Sequence, residues 1–254
     1  MSILKPWAWR TSAARRRLRL SLEGTLVYAV GDVHGCYDEL LALEAMIEAD
    51  AAFHSGHKVI VMLGDYVDRG PASSGVLEHL IAPPPPGFER ICLTGNHEVA
   101  LLDYCEGRLP RADWLSLGAD ATLASYGVNL DYLGQTYRSS GKVDAEIRKL
   151  IPAQHLRFLR DLPVMVETER FIFVHAGIRP GIDLDEQKDV DLIQIRSDFL
   201  DYPHGLKQWV IHGHTPVAAA VPRGRKLNID TGAFHTGRLT AVRIWRGKGH
   251  VIST

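Results

Sequence analysis

Short apolar runs alternate with helix-spaced segments through the first half of the chain. Residues 26–30 (LVYAV) form an unbroken apolar run ended by Gly31, the mark of a strand buried on both faces. Residues 38–49 follow with apolar positions at near-helical spacing. Residues 58–63 (KVIVML) repeat the strand pattern and stop at Gly64. Residues 73–81 read as a helix stopped by the proline run at 83–86. Residues 90–93 make a third strand and 98–105 a third helix. Residues 110–161 read as helix and loop, broken at Gly118 and Gly127, with a helical stretch over 147–160 around Pro152. The last third predicts strands over 164–167, 171–175, 209–212, 226–230, 239–245 and 250–252. An alternating half followed by a strand-rich half predicts an α/β (α+β) fold, a central β-sandwich of two mixed sheets flanked by helices.

Composition adds exclusions. The 254 residues are 46% hydrophobic and 23% charged, which suits a globular core. A net charge of −1 gives no field that would draw the molecule to nucleic acid or an anionic membrane. No stretch approaches the roughly 18 apolar residues of a membrane span. Cys36, Cys92 and Cys105 form no CxxC pair, which points to a reducing compartment and hence a cytoplasmic location. Residues 1–24 read as a flexible basic arm, with five arginines and no acid in the 7–20 stretch WAWRTSAARRRLRL. No apolar signal core follows them. The arm is a candidate for weak docking to a partner. Residues 25–254 read as a single domain.

Five polar clusters terminate the apolar runs: GDVHG at 31–35, GDYVDRG at 64–70, GNHE at 95–98, VHAG at 174–177 and HGHT at 212–215. A lone aspartate or histidine at a strand end is usually a cap or a hydrogen-bonded structural group. Carboxylate, imidazole and amide at five strand mouths form a joint pattern that chance does not supply. Ligands in α/β sheets collect at such strand ends. The pool contains Asp32, His34, Asp65, Asp68, Asn96, His97, His175, His212 and His214, and no thiolate. Hard oxygens and imidazoles suit catalytic Mn²⁺, Fe²⁺ or Zn²⁺ better than a structural zinc site. The pool is also large enough for two ions about 3.5–4 Å apart, bridged by a carboxylate and a water that they acidify. The glycines flanking the clusters are expected to supply positive φ and close backbone approach. Arg69, next to Asp68, offers a fork for two phosphate oxygens.

These stretches together resemble the metallophosphoesterases, and within them the phosphoprotein phosphatase family in its bacterial and phage branch of serine/threonine phosphatases. The resemblance runs from about residue 26 to 245. It implies that Asp32 and His34 bind one metal, that Asp65 bridges, and that Asn96, His175 and His214 bind the second. It further implies that His97 is the general acid oriented by Asp68, and that Arg69, Arg196 and Asn96 hold the phosphate. Two divalent ions, Mn²⁺ first, are the implied cofactors, and a phosphorylated protein or peptide is the implied partner. Thr94 stands where the family commonly has arginine. His212 and Asp230 are expected to be structural.

Three activities compete. The first is a phosphomonoesterase acting on phosphoserine, phosphothreonine or phosphotyrosine. The second is a dinucleoside polyphosphate hydrolase on the same scaffold, whose members tend to carry Gln at the His34 position and Asn at the Asp68 position, so the residues here favour the first. The third is an inactive phosphoprotein-binding module, which the full ligand set disfavours. Specificity is expected from the middle helices and from loops such as 183–189.

Overall fold

A computed structural model describes residues 14–21 and 23–254. Its strands are β1 (Arg17–Arg19), β2 (Leu26–Val30), β3 (Lys58–Met62), β4 (Phe88–Cys92), β5 (Met165–Glu167), β6 (Phe171–Val174), β7 (Trp209–His212), β8 (Lys226–Asn228), β9 (Thr240–Trp245) and β10 (Lys248–Ser253). They form two five-stranded sheets, ordered β10-β9-β2-β3-β4 and β1-β5-β6-β7-β8. β2, β3 and β4 are parallel in the first sheet, and β6, β7 and β8 are parallel in the second. Both sheets are therefore mixed, since β9 runs antiparallel to β2 and β5 antiparallel to β6.

The period-two geometry of a strand explains the unbroken apolar runs. Val27, Ala29, Val59, Val61, Val242 and Ile244 of the first sheet meet Phe173 and Ile211 of the second in the layer between the sheets. Their alternates Leu26, Tyr28, Val30, Ile60 and Met62 face outward. There they pack under α1 (Tyr37–Ala51), α2 (Ser73–Ile81) and α3 (Asn96–Cys105). The middle of the chain adds α4 (Arg111–Leu115), α5 (Ala119–Ser125), α6 (Leu130–Thr136), α7 (Ser140–Leu150) and α8 (Ala153–Asp161) to that layer. Pro152 is the N-cap of α8, so the stretch expected as one helix over 147–160 is two. Proline lacks the amide that a helix interior needs but is tolerated at a helix start. Ile172, Val174 and Val210 form the outer core of the second sheet, beneath α9 (Asp189–Gln194) and α10 (Ser197–Leu200). The short α11 (Ala233–Thr236) lies between β8 and β9. The predicted sandwich flanked by helices is the observed fold.

The basic arm departs from expectation where it is described; residues 1–13 and 22 lie outside the described residues. β1 pairs in parallel with β5, and the N–H of Val164 donates to the Arg16 carbonyl at 2.9 Å. The Arg15 guanidinium donates to the carbonyls of Leu159 and Leu162, each at 3.0 Å, at the C-terminal end of α8. Those carbonyls have no partner within the helix, and a cation satisfies them well. Arg17 donates to the Leu184 carbonyl at 3.0 Å and pairs with Asp189 at 3.3 Å. Arg19 pairs with Glu167 at 3.0 Å and also with Asp185. These arginines and the 183–189 loop are engaged with one another, so Arg15 and Arg17–Arg19 are tied to the domain, the latter as an edge strand, rather than forming a free arm. No helix among the described residues is long and apolar enough to cross a membrane.

Candidate active site

Each cluster follows the carboxyl end of a parallel strand: Asp32 follows β2, Asp65 β3, Asn96 β4, His175 β6 and His214 β7. The loops fold tightly enough that several candidate site residues themselves carry positive φ: His34 at 45°, Asp65 at 53°, Asp68 at 70°, Arg69 at 71° and His214 at 69°. Non-glycine residues there store roughly 1–3 kcal/mol of strain each, which the surrounding packing must offset. The glycines act differently from the sequence expectation at two key places. A Cβ on Gly95 would lie 2.2 Å from Asp65 Oδ1, and one on Gly213 would lie 2.0 Å from Asp32 Oδ1. Neither has positive φ. They leave room for a carboxylate, and the ligands bear the strain.

Asp65 stands at the centre. Its Oδ2 lies 3.4 Å from His175 Nε2, 3.5 Å from His34 Nε2 and 3.8 Å from His97 Nε2. Two triads share it, His34–Asp65–His97 and Asp65–His175–His214, with ligand atoms within 4.8 Å of one another in each. Asn96 Oδ1 is 3.1 Å from His175 Nε2, and His214 Nδ1 is 3.2 Å from the same nitrogen. Asp32 lies outside both triads and meets them through the His214 N–H, which donates to its Oδ2 at 3.0 Å.

The tautomers follow from the outer partners. His34 Nδ1–H donates to the Val67 carbonyl at 2.8 Å, and His175 Nδ1–H donates to the Leu63 carbonyl at 3.0 Å. Each thereby turns Nε2 toward Asp65, the orientation that metal-binding imidazoles use. Asp32 Oδ1, His214 Nε2 and Asp230 Oδ2 are buried without any partner. Buried acceptors that face only other acceptors are costly unless a cation joins them. This donor set fits a pair of divalent ions.

Electrostatics report the same crowding. Burial, then the neighbouring Asp230, pushes the Asp32 carboxyl well above the usual range. Burial also opposes ionisation of Asp65, but the His175 and His97 imidazoles outweigh it and hold that carboxyl well below the usual range. Burial, then His97, drives His34 well down. His175 rises to about 9 against its burial, because Asp65 and Asp32 face it.

His97 and Asp68 are brought into contact. His97 Nδ1–H donates to Asp68 Oδ2 at 2.7 Å. Burial disfavours the imidazolium, yet the Asp65 and Asp68 carboxylates raise the His97 imidazole above its ordinary value. Asp68 is fully buried and fixed by two residues that sequence reasoning missed. Trp114 Nε1–H donates to its Oδ2 at 3.2 Å, and the Thr122 hydroxyl donates to its Oδ1 at 2.8 Å. Glu98 was also missed as an organiser. Its carboxylate accepts the N–H groups of Asp65 and Gly95 at 2.8 Å each and of Tyr66 at 2.7 Å. The period of the GNHE tetrad could have signalled this, because it puts Glu98 three residues beyond the helix cap Gly95.

The two arginines lie at the mouth. Arg69 Nη1 donates to His34 Nε2 at 2.9 Å, and its Nη2 lies 3.1 Å from His97 Nε2. Arg196 is exposed, donates to the Thr215 hydroxyl at 3.2 Å, and feels Arg69 and the carboxylates of Asp65, Asp230 and Asp32. His212 is buried, packs against Phe199 at 5.1 Å and is held neutral, down to about 3, by burial. Asp230 accepts the Gly232 N–H at 2.9 Å.

The family model of calcineurin-like phosphoesterases matches residues 25–225. Bis(5'-nucleosyl)-tetraphosphatase PrpE [asymmetrical] of Bacillus subtilis (strain 168) is 28% identical over 235 residues, covering 84% of this chain and 88% of its own. A solved structure provisionally described as a diadenosine tetraphosphatase superposes with a TM-score of 0.66 at 21% identity, covering 94% of this chain and 98% of its own. A cold-active protein tyrosine phosphatase superposes with a TM-score of 0.57 at 17% identity, covering 92% and 80%. At these identities the two superpositions establish the shared fold.

Proposed function

Because the chain belongs to the calcineurin-like phosphoesterase family, we propose that it is a metal-dependent hydrolase that cleaves a phosphoanhydride bond of dinucleoside polyphosphates. The observation that carries this reading is the near end-to-end alignment with a tetraphosphatase. It reverses the order in which the sequence ranked the substrates. In this reading Asp32, His34 and Asp65 hold one divalent ion, and Asp65, Asn96, His175 and His214 hold the other, with Mn²⁺ the favoured metal. Bound ions supply Lewis acidity and an acidified water. Arg69 and Arg196 grip the non-bridging phosphate oxygens as charged forks, and Asn96 supports the phosphate from the site floor. His97, held by Asp68, presents Nε2 to the leaving oxygen.

The His97–Asp68 pair favours a second reading, a phosphomonoesterase acting on phosphoserine, phosphothreonine or phosphotyrosine. A departing nucleotide is a weak base and needs little protonation. A departing serine alkoxide is a strong base and needs a proton in the transition state. A buried, doubly braced acid suits that harder leaving group. The third candidate, a binding module without turnover, finds no support in a site that retains every expected ligand.

The test is phosphate or nucleotide release from diadenosine tetraphosphate, a phosphoserine peptide and a phosphotyrosine peptide, side by side, after chelation and resupply of Mn²⁺. Turnover of the dinucleotide to AMP and ATP supports the first reading. Turnover of peptides alone replaces it with the second.

A further inference from the structure

Phe234 lies beyond residue 225, where the family match ends, and it belongs to none of the five motifs. It is a large apolar side chain left 39% exposed beside a polar site. Its ring lies under the Arg69 guanidinium, with Cζ 4.9 Å from the ring centroid. It also meets His34 edge-on, at 5.7 Å and 80°. The short helix that carries it is pinned. The Thr236 hydroxyl donates to the carbonyls of Thr231 at 2.9 Å and Gly232 at 3.0 Å, and the Gly232 N–H donates to Asp230. Gly232 has φ +67°, and a Cβ there would meet the His235 ring at 2.1 Å. That φ favours glycine, and a side chain there would have to displace the His235 ring.

We infer that Phe234 is a positioning residue for the phosphate clamp, its ring holding the Arg69 guanidinium across the mouth of the site. This rests on the clamp role of Arg69 proposed above. The argument is one of donor economy. A carboxylate partner would hold the guanidinium but would neutralise it and occupy its N–H groups. No carboxylate among the described residues pairs with Arg69. An aromatic face attracts the cation through its quadrupole without neutralising it and takes up none of its in-plane donors, two of which meet the His34 and His97 imidazoles in this structure.

The experiment is calorimetric titration of inorganic phosphate into Mn²⁺-loaded protein, with metal content measured on each variant. Phe234→Ala is expected to weaken phosphate binding by roughly 3- to 10-fold with metal content unchanged. Phe234→Tyr is expected to restore it, and Phe234→Leu is not. In an Arg69→Ala background the Phe234→Ala change is expected to have no further effect, since the two residues act as one unit. Equal weakening by Phe234→Ala with or without Arg69 would overturn the inference and leave the clamp standing. Full restoration by leucine would overturn the stacking role. Unchanged phosphate affinity in Arg69→Ala would overturn the clamp and the inference together.

Discussion

The interior of the site and its rim are built on opposite terms. Asp65, Asp68, His97, Glu98 and His175 are all 1% exposed or less, and each is oriented by several protein partners. At the rim, Arg69 is half-buried and meets His34, His97 and Phe234, while Arg196 and Phe234 are exposed and the Arg196 guanidinium reaches the Thr215 hydroxyl. In the proposed reading the interior acts on the phosphate, and the rim grips it and selects the molecule that carries it. Rim residues can change without disturbing the buried donors, which suits a fold shared by proteins named for nucleotides and for phosphotyrosine.

The comparison breaks most visibly at its centre. Asp65→Asn removes the one carboxylate shared by both triads, and it is expected to lower both metal content and turnover. The loss should exceed the roughly 10- to 100-fold that follows removal of a supporting partner; elemental analysis with initial rates checks it. His97→Asn comes next. It is expected to slow hydrolysis of an alkyl phosphate by about 10²–10⁴-fold and to spare a substrate with a weakly basic leaving group. Equal loss on both substrates would remove the acid role.

A rim change should be milder. Arg196→Ala is expected to raise KM by about tenfold, the low end for a charged hydrogen bond, with kcat changed less. Thr122→Val tests the bracing instead. It strands the buried Asp68 Oδ1 and leaves the Asp68 N–H, which Thr122 Oγ1 accepts at 2.7 Å, with Ser73 Oγ alone at 3.1 Å. The expected cost is about 1–3 kcal/mol in a urea unfolding experiment.

The smallest effect lies far from the site. Burial works against the Asp50 carboxylate, but hydrogen bonds from Tyr28 and Arg243 hold it below the usual range. A depressed carboxyl stabilises the fold above its unfolded value, about 4, and that contribution fades as pH falls through the folded value. Asp50→Asn is therefore expected to lower the urea midpoint at neutral pH and to narrow the gap from wild type in acid. A gap that is constant with pH would show that the carboxylate's charge is not involved.

Much of this was legible because strands and ligands obey local rules. The runs at 26–30 and 58–63 are apolar on both faces because they lie between a second sheet and a helical layer, and each ends where a ligand begins. β1 was illegible for the opposite reason. Arg-Leu-Arg offers one apolar residue, and its stability comes from Asp185, Asp189, Glu167 and the end of α8, more than 140 residues away. Trp114, Thr122 and Phe234 escaped notice likewise. Nothing within a few residues of any of them marks a function, and only the fold brings them to Asp68 and Arg69. The comparisons back the second-ranked substrate better than the first, for a related reason. His34 and Asp68 belong to the interior, whereas in the proposed reading the choice between a nucleotide and a phosphopeptide is made at the rim.

The central claim is a two-ion centre joined by Asp65, and counting the ions tests it most directly. Metal-stripped protein would be titrated with Mn²⁺, with bound metal and turnover followed together and electron paramagnetic resonance recorded at saturation. The account predicts two ions per chain, magnetic coupling between them, and turnover that appears only as the second site fills. A single bound ion at full activity, or turnover undiminished in chelator, would contradict it.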